Sequence, residues 1–361
     1  APVPVGQTKI FKFPIRLSDS TDWKVLLQGY KDELRSWFPA LPYNLDARPI
    51  VAFARTHVYH IRLDNPYGYD DGGTNLNSRF VKLAGCQDYV SKMVPTMVDT
   101  NYSGIVFWQP QGEHPRGVKY RPDFDQFPAE TVPNLPTLFN GFINAGLKVG
   151  LLARPAAVIV PLNGTASLIR PGTAAEAMSD LTPRFAWAAS MGISKFYFDT
   201  FINVGYDHEL VESIRQATSN WGTFTEHSTA LSMAFSGAYS EMQYSSGTDS
   251  FFTNIDSSLT YLRFLYPESF VTTKYISPAP PGGFQRVYEY MFANRLTPLI
   301  NDDLIINTPA VHNSILKPLV EQFINSENQW ATPPIRERAT GRGIANRQLD
   351  IAPRGIAANR Q

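Results

Sequence analysis

Short apolar runs alternate along this chain with longer stretches in which an apolar side chain recurs every three or four positions. The first kind predicts buried strands and the second predicts amphipathic helices. The strand-like runs are Arg48–Arg55, Gly104–Pro110, Lys148–Pro155, Lys195–Phe201, Gly222–His227, Ala238–Tyr244, Phe270–Ile276 and Thr297–Asp303. Helical spacing falls on Phe80–Met97, Pro136–Gly146, Thr173–Gly192, His208–Thr218, Asn254–Phe264 and Gln285–Asn294, with Val311–Phe323 closing the series. Eight strands alternating with helices predict an α/β chain of the (β/α)8 TIM-barrel class. A doubly wound sheet is the other arrangement that this alternation allows. The weakest joint lies between the fifth and sixth strands. Only Ser228–Phe235 is available there as a helix, and it is short for a parallel crossover.

The flanks read differently. Residues 1–47 form an entry segment whose helix, Trp23–Trp37, carries Leu26, Leu27, Tyr30 and Leu34 at helical spacing. Residues 48–330 carry the barrel. Residues 331–361 lose large apolar side chains and gain Arg, Gly, Ala and Asn, and Arg342–Gln348 recurs imperfectly as Arg354–Gln361. Such a segment buries no core of its own. It reads as an extended arm lying on its own barrel or on a neighbouring subunit, the second being a route to self-association through residues 331–361.

Composition narrows the functional classes. The 361 residues suffice for one large barrel, and a formal net charge of zero offers no electrostatic case for nucleic-acid binding. No apolar run is long enough to span a membrane. The chain begins at Ala1 without Met or a signal-like segment, which is compatible with a processed protein, and an extracellular or secreted location is the expectation. Cys86 is the single cysteine, so no internal disulfide and no cysteine-based metal site is expected. His57 and His60 with Asp64, Asp70 and Asp71 fit no zinc spacing, and neither a P-loop nor a dinucleotide fingerprint is present. The expectation is therefore no metal and no cofactor. Aromatic residues make up 13% of the chain against 18% charged, a balance that suits a surface on which sugar rings stack.

In barrels and open α/β sheets the chemistry collects at the C-terminal ends of the strands. The acids at such ends are Asp199, Glu226, Glu241, Asp302 and Asp303. Cleaving a glycosidic bond takes two carboxyl groups, one as acid and one as nucleophile or base. Asp199 and Glu226 end the fourth and fifth strands, and neighbouring strands stand about 5 Å apart. This makes Asp199 and Glu226 the expected catalytic pair, with Glu241 as the alternative. Substrate contacts are expected from Trp108, Gln109, Glu113 and His114 after the second strand and from Arg154 after the third. Tyr197 and Tyr244, then Lys274, Asn301 and Asp302, complete that set.

Several stretches carry a likeness to a known family. They are Tyr120–Phe124, Asn134–Pro136, Phe142–Gly150, Phe185–Ile193 and Lys195–Thr200. Over about 100 residues these resemble the second to fourth βα units of glycoside hydrolase barrels, of the α-galactosidase-like or α-amylase-like kind. The resemblance implies that Asp199 is a nucleophile. It also implies a second carboxyl on strand five, Glu226, or near strand six, Glu241. One departure stands out: both groups keep a cation two residues before the Asp, and here that position is Tyr197. The expected function is hydrolysis of an oligo- or polysaccharide. The rival is a barrel without catalysis that serves as a structural or sugar-binding subunit of an assembly.

Overall fold

The computed structural model describes residues 19–40, 48–53, 63, 67–69, 80–108, 110, 127, 129–155, 157–159, 167–169, 173–199, 208–218, 222–226, 228–254, 256–276 and 279–327. Phe38–Pro333 is one compact unit, and the first helix belongs to a second unit. In chain order the elements are α1 (Trp23–Trp37), β1 (Ile50–Phe53), α2 (Leu83–Asp99), β2 (Gly104–Phe107), α3 (Leu135–Ile143), β3 (Lys148–Ala153), β4 (Ala157–Ile159), β5 (Ser167–Ile169), α4 (Ala174–Ser190) and β6 (Lys195–Phe198). Then come α5 (His208–Ala217), β7 (Gly222–Glu226), β8 (Gly237–Ser245), β9 (Ser250–Thr253), α6 (Asp256–Leu265), β10 (Val271–Tyr275), α7 (Gly283–Ala293) and β11 (Leu296–Asn301). The short α8 (Asp303–Ile306) and α9 (Pro309–Val311) and the longer α10 (Lys317–Glu327) end the described chain.

Eight of the strands close into a parallel barrel in the order β1, β2, β3, β6, β7, β8, β10, β11, with β11 returning to β1. The predicted (β/α)8 architecture is therefore the observed one, and the doubly wound alternative is not. Strand alternation sorts the side chains into two shells. Ile50, Ala52, Val106, Leu152, Tyr197, Phe224, Tyr239, Phe270 and Leu299 meet in an inner cluster. Their sequence neighbours face outward to the helices. Phe53 lies 5.7 Å from the Tyr89 ring of α2, Phe107 lies 5.7 Å from Phe139 of α3, and Phe196 lies 5.3 Å from Phe185 of α4. The outer helices owe their ends to local chemistry. At the start of α4 the Thr173 hydroxyl accepts from the Glu176 N–H, and the Glu176 carboxylate accepts from the Thr173 N–H. After α3 the chain turns through Gly146 at φ +79°, a conformation that glycine adopts without strain.

Three expected elements differ. The helix expected over Ser228–Phe235 is a single 3-10 turn, Ser232–Ala234. Thr223 and Thr225 flank the inward Phe224, so β7 turns hydroxyls rather than apolar groups outward. Thr223 Oγ1 donates to the Phe235 carbonyl, and Thr225 Oγ1 lies 2.7 Å from Ser228 Oγ. An amphipathic helix would find no apolar seat there, and a hydrogen-bonded loop takes its place. The closing helix expected over Val311–Phe323 is instead α9 and α10 joined by a π-helical turn, His312–Leu316. Its buried His312 ring meets the Tyr102 hydroxyl at 2.8 Å. Finally, strand eight stops at Asn301, so Asp302 and Asp303 lie beyond it and begin α8.

Two hairpins are additions to the expected pattern. β4 pairs antiparallel with β5 after the third barrel strand, and β9 folds back antiparallel on the far end of β8.

Candidate active site

The inner side chains at the C-terminal strand ends define a mouth. Asp199 follows Phe198 at the end of β6, and its N–H donates to the Ala153 carbonyl, which prolongs the β3–β6 ladder by one step. That step keeps Asp199 on the same side as the inner Tyr197. Its carboxylate is buried and paired with Arg154, whose Nε donates to Oδ2 at 2.5 Å and whose second nitrogen bonds the same oxygen. Arg154 was expected to touch substrate. It bonds Asp199 from β3, the strand beside β6.

Glu226 ends β7. The register pairs Phe198 with Thr225, so the next step sets Asp199 beside Glu226 across adjacent strands, which stand about 4.8 Å apart. Glu241 lies farther along β8, two residues past Tyr239, which is itself the register partner of Glu226. The Tyr239 hydroxyl donates to Glu241 at 3.5 Å. Burial pushes both the Tyr197 and Tyr239 phenols well above the ordinary tyrosine range, and the carboxylates Asp199, Glu226 and Glu241 push each further. All three acids thus act on one buried pair of tyrosines.

The floor of this mouth is aromatic. Trp108, just past β2, stacks on Tyr197 with centroids 5.4 Å apart, and Tyr239 meets it edge-on at 6.0 Å. Lys274 of β10 sits over the same indole, its Nζ 4.0 Å from the ring centroid. Burial lowers the Lys274 ammonium to about 8, against the opposing pull of Glu241, Asp302 and Asp303. Asn301 ends β11 on the inner side with Leu299. The structure therefore gathers Trp108, Arg154, Tyr197, Asp199, Glu226, Glu241, Lys274 and Asn301 of the expected set.

Two others point elsewhere. Tyr244 donates to Asp249 at 2.6 Å and lies under Arg286, in a cluster around the β8–β9 hairpin. Asp302 is fully buried and accepts from the Tyr89 hydroxyl of α2 at 3.0 Å, a contact with the helix layer. Gln109, Glu113 and His114 lie outside the described residues, as do His57, His60, Asp64, Asp70, Asp71 and the arm 331–361. Tyr239 was not expected at the site, although its spacing from Glu241 in the alternating β8 run carried the signal. Among the described residues no group of three or more His, Cys, Asp or Glu could hold a metal ion. No described helix is long and apolar enough to cross a membrane.

The closed barrel is of the kind found in glycoside hydrolases. No protein-family model matches the chain, and no curated protein matches it significantly. Solved structures do. The chain is similar to an α-N-acetylgalactosaminidase from Bifidobacterium bifidum, with a TM-score of 0.52 at 13% identity over 84% of this chain and 57% of the other. It is likewise similar to a GH31 family sulfoquinovosidase from E. rectale, with a TM-score of 0.51 at 12% identity over 87% of this chain and 52% of the other. The chain thus spans little more than half the length of each. At these identities the likeness is one of fold.

Proposed function

We propose that this barrel hydrolyses a glycosidic bond in an oligo- or polysaccharide, with Asp199 and Glu226 as its carboxylate pair. The observation that carries this reading is the register that sets Asp199, held by Arg154, beside Glu226 above an aromatic floor. A retaining mechanism needs its two carboxyl groups about 5 Å apart, a separation that side chains on adjacent strands can reach. Glu226 gives its proton to the glycosidic oxygen as the bond to the anomeric carbon breaks, and an Asp199 oxygen bonds that carbon. Water, deprotonated by Glu226, then displaces Asp199 and regenerates both groups. The Arg154 guanidinium holds Asp199 in place and balances its charge as it leaves. Trp108 lines the same mouth, with Tyr197 stacked on its ring and Lys274 over it.

Glu241 is the second candidate for the acid, favoured by the Tyr239 hydroxyl that bonds it. The test is turnover of a panel of polysaccharides and aryl glycosides by Asp199→Asn, Glu226→Gln and Glu241→Gln. Asp199→Asn is expected to lose at least about 1,000-fold. Glu226→Gln is expected to lose about 100- to 10,000-fold on natural leaving groups and far less on activated aryl glycosides, which need no proton. Full turnover by Asp199→Asn sinks the reading. If Glu241→Gln shows the leaving-group pattern and Glu226→Gln does not, the acid is Glu241.

A further inference from the structure

The mouth is divided by chemistry. Asp199, Glu226 and Glu241 stand on the consecutive strands β6, β7 and β8. Hydrogen-bond donors without acceptors stand on β10 and at the end of β2. The Trp108 Nε1–H is buried with no partner among the described residues. Lys274 reaches from β10 past β11 and β1 to lie over that same indole. No described carboxylate is ion-paired with it, although Glu241 is its register partner on β8 and acts on it together with Asp302 and Asp303. Thr272, two residues before Lys274 and on the same side of β10, also has a buried hydroxyl without a partner. The other cation of the mouth, Arg154, is taken up by Asp199.

Buried donors without acceptors are rare and costly. A cation–π contact gives the ammonium some electrostatic relief but no acceptor for any of its three N–H groups. A neutral sugar hydroxyl could satisfy the indole N–H but would give the ammonium no ion-pair partner, since Glu241, Asp302 and Asp303 act on it only through space. An anionic oxygen satisfies both.

We infer that Trp108 Nε1 and Lys274 Nζ form a subsite for an anionic oxygen substituent on the sugar, a carboxylate or a sulfate ester. The substrate class is then an acidic saccharide, an inference that rests on the glycoside hydrolase reading. The scissile bond lies over the acids of β6 and β7, and the charged substituent lies toward β10 and β2. Burial already drives the Lys274 proton off at lower pH than usual, and an anion bound there would restore it.

Calorimetric titration of the full chain tests this without turnover. The probes are glucuronate, galacturonate and glucose and galactose 6-sulfates, each against its neutral parent sugar at pH 6.5 and low salt. At least one acidic probe is expected to bind 10-fold or more tightly than its parent, and the uronate and sulfate arms tell which anion is meant. Lys274→Met should bring that preference to parity. Trp108→Phe keeps a ring but removes the N–H, and should reduce the preference several-fold even if Lys274→Met fails to fold. Equal or weaker binding of every acidic probe overturns the subsite and leaves the hydrolase reading standing. A strong acidic preference in a chain that cleaves nothing does the reverse. If no saccharide binds, both fall.

Discussion

Arg154 and Asp199 form a buried ion pair across adjacent strands, Arg154 at the end of β3 and Asp199 at the end of β6. The pair explains the unusual Tyr197. A cation two residues before Asp199 would point into the barrel from the same strand, and here an aromatic residue holds that place against Trp108. The positive charge arrives instead from the neighbouring strand. Trp108 thereby keeps an aromatic surface beneath it.

Arg154→Met leaves a buried carboxylate without its cation and is expected to cost about 3–5 kcal/mol of stability. Arg154→Lys should recover some of this, since an ammonium restores charge but not the two-nitrogen grip. Adding Tyr197→Arg to Arg154→Met moves the cation to the strand of Asp199 and should recover some stability at the expense of the stack on Trp108. Chemical denaturation of the three variants checks the series. Unchanged stability in Arg154→Met would falsify the role given to the pair.

Lys274 gives stability a pH signature. Its ammonium is lowered to about 8 from 10.5, so between these values the unfolded chain binds more of this proton than the folded chain. This residue therefore makes stability rise with pH across that window. Lys274→Met should raise the melting temperature most at pH 7, with the gain shrinking between pH 8 and 10.5. A gain that stays constant over that range would show that Lys274 is not desolvated.

Two glycines should fail for different reasons. A Cβ on Gly104 would stand 2.0 Å from the Lys148 carbonyl oxygen, its register partner in β3. Gly104→Ala must push β2 and β3 away from each other and is expected to cost about 3 kcal/mol or more. Gly146 has open space around it but a φ of +79°, so Gly146→Ala should cost only about 1 kcal/mol. Equal losses in thermal melts would contradict this contrast.

The Tyr89 hydroxyl joins α2 to the turn after β11 through Asp302. Tyr89→Phe removes that hydrogen bond and is expected to destabilise by about 2 kcal/mol, because the acceptor is a buried carboxylate. A double-mutant cycle with Asp302→Asn measures the coupling, and a value near zero would mean that the contact holds nothing.

Much of the barrel was legible because each strand needs an apolar run and each helix an apolar stripe. The missing helix after β7 was signalled by Thr223 and Thr225, whose hydroxyls a helix could not have packed against. In the site, strand order alone put Asp199 and Glu226 at the ends of neighbouring strands. The Arg154–Asp199 bond could not be read, since the two residues are 45 positions apart and only strand neighbourhood joins them. Nor could the sequence turn Tyr244 and Asp302 away from the mouth, because each is drawn off by a partner distant in sequence or on a hairpin not foreseen.

The barrel is sealed where Ile50 meets Leu299 and Ala52 meets Asn301. During synthesis the first strand must therefore wait for the last, with one backbone edge of Ile50–Phe53 unpaired while most of the chain is still being made. An unpaired apolar edge invites other strands to join it. Folding of this protein should accordingly be most exposed to misassociation late, in the interval before β11 is complete, and a chain cut short before Leu296 should be prone to aggregate.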